Sequence, residues 1–435
     1  MSKLAIEGGE KTVLLTDPIW PQVGDEEIQA VSDALRKSKT DINYITSVRG
    51  GGPTVEFEKK LAQYFSVKYA LTTNSGCAAL HTALMAIGIG AGDEVIVASY
   101  TWGQTVSPIL QQCAIPVFAD IDPLTYTLDP ISIRQHITPE TKAIMVVHLY
   151  GQSADMDPIL EISREFNLWV IEDCAQAAGA HYKGKRVGTL GHIGCFSIGD
   201  GKQMVGGEGG FLLFQDNELY DRALLNSQFY KCLKNKLTNQ KLINNSDTLL
   251  HTYHIHPLAA VMCSVQLDYL DVWNAERREN HQKLSMGLQG VPGIRPVIVG
   301  NDRDHIYHHY SPSFMPTEVE GISRELYVAA LSAEGVYIDY GYVPQPIYLW
   351  KRIKEHTYFG KGLPWSASNK KIEYNVGDCP NAEARCNYHE LDIGEGPAWR
   401  GDQSPLVNQI IDAFQKVGEN IDRLRLLSKK FMPNS

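Results

Sequence analysis

Short apolar runs alternate with helix-like segments between residues 70 and 214, and this alternation constrains the fold more than any other feature of the sequence. Several runs are apolar throughout, as strands covered on both faces of a sheet are. Strands that alternate with helices are typical of a mainly parallel sheet with crossover helices. The predicted strands are Ala70–Thr72, Glu94–Val97, Pro116–Ala119, Ala143–Val147, Leu168–Ile171, Cys195–Ser197 and Gly210–Phe214. The sequence therefore predicts an α/β fold with a seven-stranded, mainly parallel sheet.

Helical periodicity flanks this block on both sides. Two amphipathic helices are predicted before the sheet, with apolar positions at 28, 31 and 35 and at 57, 61 and 65. After the sheet, the polar stretch 231–247 is predicted to be an exposed loop. A long helix should follow, with an apolar face of Leu258, Met262, Val265, Leu267 and Leu270 and an end near Trp273.

The length of the chain indicates more than one domain. A chain of 435 residues exceeds what one ordinary core accommodates. We expect a large domain over residues 1–270 and a smaller C-terminal α/β domain over 271–435. The polar, Lys-rich stretch 350–379 has no assignment from sequence.

Composition and charge exclude several classes of protein. The net charge of -10 and pI near 5.8 argue against a nucleic-acid partner, which needs clustered Lys and Arg. There is no uninterrupted apolar stretch of about 18 residues, and no signal peptide pattern, so neither membrane insertion nor secretion is expected. The cysteines are scattered without a CxxC pair, which favours free thiols in a reducing cytoplasm.

A lysine in a glycine-rich turn is the strongest chemical signal. Lys202 lies in CFSIGDGKQMVGGEGGF, between two predicted strands. A lysine forms an imine with an aldehyde cofactor only through its neutral amine, which burial and a nearby cation favour. Flanking glycines let a cofactor approach the backbone closely. Taken alone, the same pattern also describes a surface lysine in a flexible turn.

An acidic residue follows one of the predicted strands. Asp173 in VIEDCAQ lies where a parallel sheet presents side chains at its carboxyl edge. A carboxylate here could keep the ring nitrogen of pyridoxal phosphate (PLP) protonated, which makes that ring an electron sink. Alone, Asp173 could equally cap the next helix.

Two further segments have features of a cofactor site. The stretch TTNSGCAALH runs from a strand through small residues into a helix, whose free N–H groups suit a phosphate. Trp102 in SYTW comes just after a strand, where an indole could stack on a planar ring. Each signal also has a plain packing explanation. Their combination with Lys202 and Asp173, in this order, is much more specific.

The order SGCAAL, SYTW, EDCAQAAGA and CFSxxxxKxxxxGEGG resembles the DegT/DnrJ/EryC1/StrS aminotransferases, PLP enzymes of fold type I that act mainly on keto-sugars and keto-cyclitols. The resemblance covers nearly the whole chain, from LAIEGG to CPNAEARCNYHELDIGEG. It implies the aspartate aminotransferase-like fold and a homodimer with shared active sites. The opening LAIEGG, the GK before GEGG and the length are similar to the branch with scyllo-inosose aminotransferases and 3-amino-5-hydroxybenzoate synthases.

The resemblance also implies roles for individual residues. Lys202 would be the Schiff-base lysine, and Asp173 would be the partner of the pyridine nitrogen. Gln176 would lie beside the phenolic oxygen of PLP, and Trp102 would stack on its ring. The phosphate would be held by Ser197 and by the chain at Gly76, Cys77 and Ala78.

The sequence departs from the family pattern in two places. The family often has Thr where this chain has Cys77, which removes one hydroxyl contact to phosphate. The segment that usually reads G-x-N-x-R-M and reaches the neighbouring subunit is LHTYHI here, with Thr252 at the Asn position and His254 at the Arg position. Either His308 or His309 resembles a histidine found near substrate, or either caps the small-domain core.

The expected activity is transfer of an amino group from Glu or Gln to a small ketone, a keto-sugar or keto-cyclitol. The family's sugar dehydratases carry histidine in place of the lysine, so Lys202 argues against that reaction. Two alternatives remain: elimination of water with ring aromatisation, as in the aminohydroxybenzoate branch, and a PLP-binding regulatory protein without turnover. A Rossmann dehydrogenase is disfavoured because no GxGxxG follows the first strand.

Overall fold

The computed structural model describes residues 2–41, 43–46, 52–228, 237, 239, 241–242, 249–368, 370–394 and 396–431, with side chains up to 428. The strands are β1 (Tyr69–Thr73), β2 (Glu94–Ala98), β3 (Ile115–Ala119), β4 (Thr141–Val147), β5 (Trp169–Asp173), β6 (His181–Tyr182), β7 (Lys185–Arg186), β8 (Ile193–Ser197), β9 (Gly210–Phe214), β10 (Ile294–Arg295), β11 (Ser313–Phe314), β12 (Ile338–Asp339) and β13 (Asp392–Ile393).

Helices lie between the strands and form most of the C-terminal part. They are α1 (Asp25–Lys37), α2 (Pro53–Phe65), α3 (Gly76–Ala86), α4 (Gly103–Gln111), α5 (Pro130–His136), α6 (Met156–Phe166), α7 (Asn217–Ser227), α8 (Pro257–Gly287), α9 (Arg324–Ala333), α10 (Lys351–Lys354), α11 (Pro380–Ala384), α12 (Ser404–Glu419) and α13 (Ile421–Phe431). Short 3-10 turns occur at Ala5–Glu7, Leu149–Gly151, Pro316–Glu318, Ile347–Leu349, Gly360–Gly362, Trp365–Ala367 and Gly396–Ala398, and Arg385–His389 is a π-helical turn.

The central sheet has the order β1-β9-β8-β5-β4-β2-β3. The pairs from β8 through β3 are parallel, and β9 runs antiparallel to both β1 and β8. Each of the predicted strands is one of these, so the prediction of a seven-stranded, mainly parallel sheet is confirmed. Strands such as β2 and β9 are buried along their whole length, because helices cover both faces.

The stretch 350–379, which had no assignment from sequence, covers one edge of the sheet. β3 is the edge strand, and Tyr374 donates its hydroxyl to the Pro116 carbonyl of that strand at 2.8 Å. Trp365 is buried beside it and donates its Nε1–H to the Tyr374 hydroxyl at 3.0 Å. An uncovered edge strand would expose unpaired backbone groups to other chains. This segment therefore protects the edge of the sheet.

Both predicted N-terminal helices are present, but only one of them buries the apolar positions that its periodicity indicates. In α2, Phe57, Leu61 and Phe65 are buried as the periodicity indicates. In α1, the predicted apolar positions Ile28 and Leu35 are exposed. The periodicity located α1 correctly but did not identify its buried side.

The long helix after the sheet extends further than predicted, to Gly287 instead of ending near Trp273. Leu267 and Leu270 are buried, whereas Leu258, Met262 and Val265 are only partly buried. The buried side instead includes small and polar residues, because α8 packs closely against α2 and the turn after β8. Gln266 of this side accepts from the Val205 amide at 2.7 Å and donates to the Val205 carbonyl at 3.2 Å.

The N-terminal segment packs with the C-terminal part of the chain. Leu4 and Val13 belong to an apolar cluster that includes Phe314, Leu331 and Phe414. The predicted domain boundary at 270/271 lies inside the continuous helix α8. The division into 1–270 and 271–435 stays a prediction.

Three other predictions concern the chain as a whole. The seven cysteines within the described residues are free thiols, and Cys232 lies outside those residues. The predicted exposed loop 231–247 also lies almost entirely outside them. In the part of the chain that the structure describes, no helix is both long and apolar enough to cross a membrane.

Buried neutral histidines should make the fold sensitive to acid. Burial lowers the pKa of both His281 and His305 to about 3. Because each pKa is lower in the folded than in the unfolded state, the unfolded chain binds more protons below pH 6.5, and stability falls as pH falls. Between pH 6.5 and pH 5 the loss should be roughly 2 kcal/mol per histidine.

Urea unfolding of the cofactor-free protein at pH 7 and pH 5 measures this loss. His281→Phe should remove about half of the pH-dependent loss assigned to these two residues, because the ring stays between Tyr307 and Trp399. His251→Phe, at an exposed position, is the control. A pH dependence unchanged by His281→Phe would contradict the assignment.

Candidate active site

Asp173 is the last residue of β5 and lies at the carboxyl edge of the sheet. Its side chain is 4% exposed and accepts hydrogen bonds from Thr105 Oγ1 at 2.8 Å and from the Ala175 amide at 3.1 Å. Burial raises the pKa of Asp173, and these two hydrogen bonds and the charge of Lys202 oppose that rise. The carboxylate is thus held in a fixed place with a cation nearby.

Lys202 lies in the turn between β8 and β9, beside the same cavity as Asp173. Burial lowers the pKa of its ammonium group, and the charge of Asp173 opposes this. Its Nζ lies 3.4 Å from Nε2 of His308. Burial, and next the charge of Lys202, depress the pKa of His308 far below its usual range. His308 is therefore neutral and can accept a hydrogen bond from the lysine.

The N-terminus of α3 faces the same cavity. Ser75 caps this helix by accepting a hydrogen bond from the Ala78 amide at 3.0 Å. Within the described residues, the amides of Gly76 and Cys77 donate to no acceptor. A Cβ at Gly76 would lie 2.8 Å from Cβ of Ser197, so only glycine permits this close approach. Three backbone amides were expected to hold the phosphate. Within the described residues, those of Gly76 and Cys77 have no acceptor, whereas that of Ala78 already donates to Ser75.

Trp102 and Gln176 form another side of the cavity. Trp102 is 46% exposed and stacks on Tyr342, with ring centroids 5.2 Å apart. Gln176 accepts from the Tyr150 amide at 2.5 Å and donates from Nε2 to the Tyr342 hydroxyl at 2.8 Å. The cavity encloses about 200 Å³. Its lining includes Gly76, Cys77, Trp102, Gln104, Thr105, Asp173, Gln176, Ser197 and Lys202.

Of the remaining predicted residues, only His308 contacts a residue of the cavity lining within the described part of the chain. Thr252 is exposed, and its stretch packs on its own chain: Tyr253 donates its amide to Ser227 and accepts from the Asn74 amide. Of the two histidines, His308 contacts Lys202. His309 instead pairs with Asp392 at 2.7 Å and packs its ring on Tyr342. A contact from Thr252 or His254 to a neighbouring subunit stays a prediction.

Sequence reasoning missed three contributors to this site. Thr105 follows SYTW by three residues and bonds Asp173 across the cavity edge. Tyr342 lies in GYVP, far along the chain, where nothing in the local pattern indicates a site. Glu172, next to Asp173, accepts from His148 and from the Gly188, Leu190 and Gly191 amides, which holds the end of β5. Of these three residues, only Glu172 has a signal in the sequence, because it is adjacent to the predicted site residue Asp173.

The model of the DegT/DnrJ/EryC1/StrS aminotransferase family matches residues 21–375. The chain belongs to this family. The match includes β1 to β9 and the lysine turn, so the fold and the class of enzyme expected from the resemblance are confirmed.

Named relatives lie in more than one branch of this aminotransferase family. L-glutamine:2-deoxy-scyllo-inosose aminotransferase of Streptomyces kanamyceticus is 34% identical over 77% of this chain and 78% of its own. GDP-perosamine synthase of Escherichia coli O157:H7 is 39% identical over 67% of this chain and 76% of its own. The crystal structure of 3-amino-5-hydroxybenzoic acid synthase has a TM-score of 0.77 at 26% identity, covering 92% of this chain and 98% of that one.

Proposed function

We propose that this aminotransferase binds PLP in the cavity at the carboxyl edge of the sheet and transfers an amino group from glutamine to a ring ketone. The observation that carries this proposal is the presence of Lys202 and Asp173 in the lining of one cavity, close enough for their charges to interact. A buried carboxylate, a lysine whose pKa is lowered by burial and unengaged helix amides are the donors and acceptors that PLP requires.

The side chains present fit the groups of PLP one by one. The free amides of Gly76 and Cys77, with the nearby Ser197 hydroxyl, suit a phosphate at a helix N-terminus. Asp173 would hold the proton on the ring nitrogen, and Trp102 offers an indole face for stacking. Gln176 Nε2 has a second hydrogen that could reach the phenolic oxygen. When bound, PLP supplies an electron sink for the amine-bearing carbon.

The protein's own contribution to the chemistry centres on one proton. Lys202 Nζ would take the proton from the amine-bearing carbon of glutamine and return a proton to the ketone-derived carbon in the second half-reaction. The neutral ring of His308, with Nε2 3.4 Å away, can accept a hydrogen bond that would orient the lysine amine. The buried position of Asp173 keeps bulk water from its carboxylate.

Among ring ketones, a free keto-cyclitol is the proposed acceptor. This rests on the activity for which the scyllo-inosose relative is named, which includes L-glutamine as the donor. The GDP-perosamine synthase relative instead supports a nucleotide-linked keto-sugar. Assays with 2-deoxy-scyllo-inosose and with a nucleotide-linked keto-sugar distinguish the two acceptors.

A homodimer in a reducing, cytoplasmic location completes the proposal. The free thiols of the described cysteines support such a location. The exposed positions of Thr252 and Ile28 leave surface for a second copy. Sedimentation equilibrium would test the dimer directly.

Visible absorbance of the purified protein mixed with PLP tests the central proposal. We expect a yellow band that L-glutamine bleaches, followed by its return when the ring ketone is added. Absence of any PLP band would overturn the proposal. Binding of PLP without bleaching by glutamine or glutamate would instead favour a non-catalytic regulatory protein.

A second candidate is PLP-dependent loss of water with aromatisation of the ring. The similarity to 3-amino-5-hydroxybenzoic acid synthase over nearly the full length favours it. Appearance of a new ultraviolet aromatic band without consumption of glutamine would support this reaction over amino transfer.

A further inference from the structure

Tyr342 bridges two of the side chains that line the cofactor cavity. Its ring stacks on Trp102 at a centroid distance of 5.2 Å with an interplanar angle of 29°. Its hydroxyl accepts the Nε2–H of Gln176 at 2.8 Å. Trp102 and Gln176 come from the N-terminal half of the chain, whereas Tyr342 follows β12 in the C-terminal part. One residue therefore links the C-terminal part to both cavity walls.

The loop that carries Tyr342 is held by a buried carboxylate. Glu390 is fully buried and accepts from the Gly341 amide at 3.1 Å and the Val343 amide at 3.4 Å. These amides flank Tyr342 on both sides. A carboxylate that accepts two amides of one loop fixes the backbone between them. Glu390 thus holds the backbone from which the Tyr342 side chain projects.

Glu390 is in turn anchored to the sheet domain. The Tyr100 hydroxyl donates to Glu390 Oε1 at 2.9 Å, and the Tyr150 hydroxyl lies 3.3 Å from the same oxygen. The two hydroxyls also lie 2.5 Å apart. Tyr100 follows β2 and Tyr150 follows β4, at the carboxyl edge of the sheet. The carboxylate therefore connects the Tyr342 loop to the strands that form the active site.

Glu390 directly follows an unusual helical turn. The turn Arg385–His389 that precedes it is π-helical, a rare form that frequently occurs at functional sites. The guanidinium of Arg385 donates to the carbonyls of Pro312, His389 and Ser311, and its charge partly offsets the rise that burial causes in the pKa of Glu390. Within the described residues, the hydrogen bonds that the Glu390 carboxylate accepts come from the two tyrosines and the two amides.

We propose that Tyr342 is a positioning residue that holds Trp102 and Gln176 against the PLP ring, and that Glu390 fixes Tyr342 through the Gly341–Val343 loop. This inference rests on the proposed binding of PLP in this cavity. Trp102 needs such support because nearly half of its surface is exposed. Without Tyr342, Gln176 loses a hydrogen-bond acceptor and can change its direction toward the ring oxygen.

Two substitutions of Tyr342 separate its two contacts. Tyr342→Phe keeps the stack on Trp102 and removes the acceptor for Gln176, whereas Tyr342→Leu removes both. Glu390→Gln keeps the shape of the side chain but removes the charge that holds the two amides. Tyr388→Phe, at an exposed tyrosine near Glu390, is the matched control. PLP affinity of the cofactor-free protein is measured by tryptophan fluorescence, and the visible band is recorded across pH.

For Tyr342→Phe we expect a shift in the pH dependence of the visible band, with PLP affinity within about twofold of wild type. For Tyr342→Leu, PLP affinity should fall about five- to tenfold, the lower end of the range that an aromatic pair and one hydrogen bond support. Glu390→Gln should also lower PLP affinity and shift the pH dependence of the visible band, by a smaller factor than Tyr342→Leu. In each variant kcat should fall while KM for glutamine stays unchanged, and Tyr388→Phe should match wild type.

The outcome that overturns the inference is wild-type PLP affinity and an unshifted band in Tyr342→Leu. If Glu390→Gln does not fold, as circular dichroism would reveal, the two Tyr342 variants still decide the role of Tyr342. Failure of the wild-type protein to bind PLP overturns the proposed function and this inference together. That result arises before any variant is compared, so the two failures are distinguishable.

Discussion

Replacement of Lys202 by alanine is expected to lower kcat for amino transfer by about 10⁴-fold, because the group that moves the proton at the reacting carbon is lost. No other amine replaces it at the cavity, since Lys202 is the only lysine among the described lining residues. His308, whose Nε2 lies 3.4 Å from Lys202 Nζ, is neutral and supplies no amine in its place. Single-turnover kinetics with L-glutamine, followed by the change in visible absorbance, measure the effect.

The control for this substitution is Lys185→Ala, at an exposed lysine in the β6–β7 hairpin. It removes the same side chain from a position outside the cavity and should leave kcat within twofold of wild type. Amino transfer by Lys202→Ala at more than about 1% of the wild-type rate would contradict the role of Lys202.

Asp173→Asn is expected to lower kcat by roughly 10²- to 10³-fold, the effect of removing one preorganised charge from an active site. Asparagine has nearly the same shape: its one carbonyl oxygen can still accept from the Ala175 amide, and its NH2 group can donate to the Thr105 hydroxyl. The fold should therefore persist while the charge facing the ring nitrogen is lost. Rates with saturating PLP and glutamine, compared with the thermal midpoint of each protein, separate catalysis from stability.

Asp157→Asn, at an exposed carboxylate that pairs with Lys183 on the surface, is the matched control. It should change neither the rate nor the visible band. If Asp173→Asn retained wild-type kcat with an unchanged band, Asp173 would be a structural residue at the end of β5 and not the partner of a cofactor.

The central sheet was predictable because its signal is local. Each buried strand is a short apolar run. Because both of its faces are buried, it has few polar positions and is easy to recognise in the sequence. The edge strand β3 was found in this way, but its cover by Trp365 and Tyr374 was not, because that contact joins residues that are distant in sequence. Helix α1 shows the same limit: its period was visible, yet its buried side depends on what packs against it.

The residues of the candidate site were likewise predictable where they belong to local motifs, and not where they depend on tertiary contacts. Lys202, Asp173, Gly76 and Trp102 follow strands or a glycine-rich turn, and parallel strands bring their carboxyl ends to one edge whatever the rest of the chain does. The choice between His308 and His309 was open in sequence and depends on which ring reaches Lys202. Ala78 had the expected location, but the Ser75 hydroxyl occupies its amide.

By itself, then, the sequence determined the sheet, the class of enzyme and the residues that strand ends carry to one edge, because all of these depend on local periodicity and short motifs. Only the tertiary structure decided which neighbours those residues have. Tyr342 and Glu390 reach the site from more than 160 residues beyond Asp173. Their approach depends on packing between distant segments, and no local pattern along the chain encodes it.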